Sequence, residues 1–184
     1  SACSIPSRPV PHGQEPLGGL WFYKASDDPS SALAGIDEAD FASGWRLVDL
    51  PGGLKEYGSK SVRSGWLRVR FPAPGKAAAT EQVLALGRAD ALLEPFLNGV
   101  PLKPLPDAEA VGSPVRAFVV PPGALRPENL LAIRTSDWQE AGGILEGPVE
   151  LVTKPAWAKR QPKPPSAVRE VQGAHARATY NPNL

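Results

Sequence analysis

The chain has 184 residues, 42% hydrophobic and 21% charged, enough apolar material for one packed domain and too much for global disorder. Lys and Arg number 20 against 19 Asp and Glu, a net charge of +1, which argues against binding nucleic acid through a basic surface. One Cys excludes an internal disulfide or a multi-thiolate metal site, and no apolar run reaches the roughly 18 residues of a membrane span.

In chain order, residues 1–19 read as an extended arm, because Pro6, Pro9, Pro11 and Pro16 lack the N–H that helices and central strands require. Short strands follow. The first two are the aromatic-rich Leu20–Lys24 and Trp45–Leu50, with a turn or two of helix expected between them around Ala32–Phe41. Residues 66–71 alternate cleanly, which puts Leu67, Val69 and Phe71 on one face and leaves Trp66 to meet Arg68 on the other. Gln82–Gly87 and Ala91–Leu97 are short apolar strands. Asn98-Gly99 is a two-residue hairpin turn, both of whose positions favour positive φ, and Val100–Leu102 is the return strand. Val115–Val120, Leu130–Thr135 and Ile144–Val152 complete the series, the last entered through Gly142-Gly143. Turn signals at this spacing predict an all-β antiparallel sandwich over residues 20–153. Residues 154–184 read as a Pro-rich basic tail, in which Trp157, Val168, Val171 and Tyr180 are spaced apolar anchors that would drape over a partner.

Several phrases, in order along residues 20–153, resemble a known family. Residues 40–51 pair an acidic turn and Trp45 with a strand ending in Pro51. Residues 65–71 resemble a Gly-Trp-Tyr-Arg strand, with Leu67 where Tyr is usual. Residues 91–99 form a strand ending in Asn98-Gly99. Residues 119–125, then Asn129 to Arg134, and finally Gly142-Gly143-Ile144 with Gly147-Pro148-Val149, complete the set. Together they resemble the galactose-binding-like jelly roll, in the form found as the sugar-binding domain of family 2 glycoside hydrolases and as the domain inserted in sialate O-acetylesterases. The resemblance implies a non-catalytic sandwich, because that family keeps its catalytic carboxylates in a separate barrel. It also implies that loops at one end are where sugar would bind. Trp138 and Tyr57, both in such loops, are the candidate sugar contacts; Trp45 and Trp66 fall at packing positions.

The N-terminus carries a second resemblance. Ser1-Ala2-Cys3 is similar to the end of a bacterial lipoprotein signal, in which small residues precede the Cys that takes the lipid. Met is absent, so the expectation is a chain processed upstream of Ser1, with lipid on Cys3 holding it to a membrane on the periplasmic side.

The two His, His12 and His175, stand outside the sandwich, and neither a Gly-x-Ser-x-Gly elbow nor a Ser-x-x-Lys pair occurs. Residues 53–61 have the two glycines of a phosphate loop, but Ser59 intrudes before Lys60 and a strand follows, so they read as a surface loop. Asp27-Asp28 and Asp37-Glu38 with Asp40 could offer oxygen to Ca²⁺ but read more simply as loop carboxylates. Glu94, Glu140 and Glu146 are acids with no spacing that marks a glycosidase pair. No cofactor is expected. Two functions stay open: a lipid-anchored accessory subunit whose partners are proteins of a bacterial envelope assembly, or a carbohydrate-binding module.

Overall fold

The computed structural model describes residues 14–28, 44–57, 63–73, 75, 79–106 and 115–160. The expected helix around Ala32–Phe41 lies outside them. Among the described residues twelve strands run β1 (Gln14–Pro16), β2 (Gly19–Ala25), β3 (Arg46–Leu50), β4 (Gly52–Gly53), β5 (Gly65–Pro72), β6 (Gln82–Ala89), β7 (Leu92–Leu97), β8 (Val100–Pro101), β9 (Lys103–Pro104), β10 (Val115–Val120), β11 (Glu128–Ser136) and β12 (Gly143–Thr153), followed by helix α1 (Lys154–Arg160). One sheet has the order β1-β12-β6-β10-β9, with β4 also paired to β12; the other has the order β3-β2-β5-β11-β7-β8. Every pairing is antiparallel. This is the expected all-β sandwich.

The core lies between the sheets. Trp21, Leu67, Leu86, Ile133 and Ile144 are fully buried there, and Leu84, Leu131 and Leu151 nearly so. The alternation read from residues 66–71 is realised: Leu67 and Phe71 are buried in this core and Val69 packs against it. On the other face, the register aligns Leu47, Phe22, Arg68, Ala132, Phe96 and Pro101 across all six strands. The guanidinium of Arg68 stacks on Trp45, 3.9 Å from the ring centroid, rather than on Trp66. Trp66 is fully buried on this face, beside Phe96 at 5.6 Å, and its indole N–H donates to the carbonyl of Asp28 at 2.8 Å. The chain leaving β2 therefore passes over the outside of the sheet.

Three boundaries differ from expectation. The sandwich begins at Gln14, not at residue 20: β1 pairs with β12, the Leu17 N–H donates to the Val149 carbonyl, and Trp21 Nε1 donates to the Leu17 carbonyl at 2.7 Å. Pro16 is tolerated because β1 is an edge strand, where a missing N–H breaks no ladder. The expected loop at residues 53–61 starts as structure, since Gly52 and Gly53 form β4 and Leu54 is fully buried.

The third difference corrects a candidate partner contact. Trp157 does not face outward. It sits on α1 and is 8% exposed, covering Val83, Ala85, Ala117 and Val152 on the outer face of the β12-β6-β10 sheet. Ion pairs clasp both ends of the helix: Lys154 to Glu81 at 2.5 Å, and Arg160 to Glu150. An apolar face left by β6, β10 and β12 has to be covered, and the chain emerging from β12 is the nearest material to cover it. Trp157→Ala should therefore cost about 3 kcal/mol by loss of packing, whereas Lys159→Ala, at an exposed position of the same helix, should cost little. Thermal and urea denaturation followed by circular dichroism will separate the two.

Candidate functional site

At one end of the sandwich the β11–β12 connection wraps around a single carboxylate. Asp90 stands just after β6, in the turn into β7. Its Oδ2 accepts the N–H groups of Glu140 (3.3 Å), Ala141 (2.7 Å) and Gly142 (3.2 Å), and its Oδ1 accepts that of Gly143 (3.0 Å). The Asp90 carbonyl accepts from Gln139 N–H at 2.9 Å, and its own N–H donates to the Gly143 carbonyl at 3.2 Å. A carboxylate is suited to this because it is acceptor-only and can take several donors at once. Leu54 extends the arrangement, its N–H reaching the carbonyls of Ala141 and Gly142.

This clamp sets Trp138. The indole N–H donates to Thr135 Oγ1 at 3.0 Å, and the ring lies over Gly142, where any Cβ would overlap it and where φ is +60°. Tyr23 packs beside Trp138, ring centroids 6.3 Å apart, and meets Tyr57 edge-on at 6.5 Å. Gly65 makes room for Tyr23, since a Cβ there would lie 2.5 Å from the Tyr23 ring. The Tyr23 hydroxyl is buried with no hydrogen-bond partner among the described residues. Burial pushes its pKa up to about 12.

Beside Trp138 is an open depression of about 650 Å³, lined by Arg63, Ser64, Ser136, Asp137 and Gln139 as well, with Asp27 and Arg134 also at its wall. Arg134 is held by Glu94 at 3.1 Å, and Ser64 Oγ donates to Asp27. The lining mixes both charges with hydroxyl and amide groups.

The candidate sugar contacts are thus placed differently from expectation. Trp138 lines the depression but is only 7% exposed, so its face is not available for stacking. A loop tryptophan with a Thr acceptor and a glycine beneath it gains more by packing inward. Tyr57 is 36% exposed, lies outside the lining and reaches Trp138 only through Tyr23. Cys3, Val168, Val171 and Tyr180 lie outside the described residues. Glu94 and Glu146 stand on different sheets, each in an ion pair, with Arg134 and Arg88. Among the described residues no group of three His, Cys, Asp or Glu could hold a metal ion. The residue that sequence reading missed is Asp90; the only local signal was an acidic residue in a turn between two apolar strands.

Asp90→Ala should destabilise the fold by about 2–4 kcal/mol, with Asp90→Asn less severe because one acceptor oxygen survives, as read by urea denaturation. The Tyr23 phenol gives a second expectation. Its folded pKa lies above the unfolded value, so its contribution to stability is complete below pH 10 and is lost as pH rises from 10 through about 12. Stability should fall over that window by roughly 3 kcal/mol more than in Tyr23→Phe. The same variant at pH 7 should be neutral or slightly stabilising, since it removes a buried hydroxyl without a partner.

No protein-family model matches the sequence, and no curated relative does. Solved structures do. The chain is similar to a beta-glucuronidase from Bacteroides uniformis (TM-score 0.53, 16% identity, covering 75% of this chain and 17% of that one). It is similar to a glycosyl hydrolase family 2 member from Bacteroides cellulosilyticus (TM-score 0.55, 13% identity, 76% and 20%) and to a beta-glucuronidase from an uncultured Clostridium (TM-score 0.54, 13% identity, 82% and 31%). Most of this chain therefore matches a minor part of each enzyme. The likeness is one of fold: the antiparallel β-sandwich of this chain is similar to a part of each of these enzymes.

Proposed function

We propose that this chain is a non-catalytic accessory module whose loop end contacts carbohydrate. The observation that carries the reading is the depression beside Trp138, which Arg63, Ser136, Asp137 and Gln139 line with donor and acceptor groups. Sugars need both, because each hydroxyl donates and accepts. The volume is in the range that holds a small ligand. Mixed charge favours a neutral glycan over a polyanion. The absence of a His from residues 13–174 and of a nucleophile motif from the sequence supports a non-catalytic role.

A second reading is favoured by α1. Because Trp157 and two ion pairs pin the helix to the sheet, the basic segment beyond Arg160 starts from a fixed point and could engage a protein partner of an envelope assembly. Lipid on Cys3 and a periplasmic location belong to this reading; intact mass from native membranes would test the lipid.

The discriminating experiment is a glycan array followed by calorimetry. The expected result is weak binding that Arg63→Ala with Asp137→Ala reduces at least tenfold while the melting temperature stays within a few degrees. Absence of glycan binding, or an unaffected double variant, would replace this reading with the assembly one. That one predicts co-purifying proteins lost on truncation after Arg160.

A further inference from the structure

The other end of the sandwich has the opposite chemistry. Asp90 precedes β7 and Asn98 follows it, so the two lie at opposite ends of that strand. At the Asn98 end the chain crosses from one sheet to the other. β8 is the outermost strand of its sheet, β9 is the outermost strand of the other, and Leu102 links them. The crossing leaves a cavity of about 660 Å³ between the two sheet edges. Leu97, Val100 and Pro101 line it from one side and Pro104 and Val119 from the other, with Pro121 at the β10–β11 connection. Val100 is 62% exposed. Asn98, also in the wall, has its amide engaged by the Ala124 carbonyl and Asn129 Oδ1.

Three properties define what this cavity accepts. Among the described residues its apolar lining is entirely aliphatic, without an aromatic ring, so they offer no platform for a sugar or a flat heterocycle. Among the described residues no hydroxyl or carboxylate side chain lines it. Its two charges are Lys103 and Arg126, both exposed, and neither is in an ion pair among the described residues. An aliphatic slot whose two cations have no ion-pair partner among the described residues complements an aliphatic chain with an anionic head. The volume suits a small ligand. The prolines at positions 101 and 104 lack the N–H groups that would let a peptide add a strand at these edges.

The geometry points to a binding site for a monomeric single-chain anionic amphiphile, such as a medium-length fatty carboxylate, with its chain between β8 and β9 and its head at Lys103 and Arg126. This site is independent of the carbohydrate reading, because it shares no residue with the depression beside Trp138.

The test is calorimetric titration of the full chain with hexanoate, octanoate and decanoate below their micellar concentrations, with decanol as the uncharged control. Affinity should rise about three- to fourfold per added methylene, the value of burying each one. Decanoate should bind at least tenfold tighter than decanol. Lys103→Gln with Arg126→Gln should erase that preference while keeping the chain-length dependence. Val100→Asp, at an exposed wall position, should abolish both, with circular dichroism confirming an unchanged fold. No binding of decanoate, binding that ignores chain length, or binding unaffected by these variants would overturn the assignment. Association with anionic phospholipid vesicles but not with monomeric decanoate would also overturn it, in favour of a membrane-facing surface.

Discussion

One carboxylate organises an entire end of this molecule. Asp90 accepts the backbone N–H groups of Glu140, Ala141, Gly142 and Gly143, all of which would otherwise need other partners in a tight connection between β11 and β12. Once that connection is closed, Gly142 lies under the Trp138 ring, and the carbonyls of Ala141 and Gly142 turn toward Leu54 and draw its N–H in. Gly143 then starts β12, whose first residues pair with β4. The aromatic group of Tyr23, Trp138 and Tyr57 is a consequence of this closure, and so is the polar depression beside Trp138.

At the far end the organising groups are neutral. Asn98 occupies the turn at φ 51° with Gly99 at 83°. Its side chain accepts the Leu130 N–H and donates to Asn129 Oδ1, while Asn129 in turn binds the N–H and carbonyl of Arg126. Amides suit this connection because it presents the carbonyls of Ala124 and Arg126 as well as the Arg126 N–H, so both donors and acceptors are needed. They pin Arg126 beside the crossing from β8 to β9, next to aliphatic walls. The sandwich is thus polarised: a mixed-charge, hydroxyl-bearing depression at the Asp90 end and an aliphatic, cation-edged cavity at the Asn98 end.

Both outer faces are partly covered as well, whereas antiparallel sheets commonly leave one face to water. On one, α1 lays Trp157 across Val83, Ala85 and Val152; on the other, Trp45 stacks on Arg68 and Trp66 is sealed beneath the chain leaving β2. The tryptophans act mainly as internal packing, which leaves the polar loop residues and the sheet edges as the surfaces available for recognition.

Alternation and turn chemistry were legible because they are local. The inward set Leu67, Val69 and Phe71 follows from the period of a strand, and the Asn98-Gly99 hairpin follows from the two residue types that tolerate positive φ. The order of such phrases was enough to identify the fold. β1, β4, β9 and α1 were not legible, because three are strands of two or three residues that exist only through pairing with a partner already in place, and the fourth is a helix carried by the face it covers. The orientation of Trp138 and Trp157 belongs to the same class: each reads as a loop or tail aromatic until the surface beneath it is assembled. The sequence by itself therefore determined the longer strands, the tight turn and the sandwich. Tertiary structure alone decided that Asp90 would meet Gly143, 53 residues away, and that two sheet edges would frame an aliphatic cavity, because such contacts depend on where the chain returns.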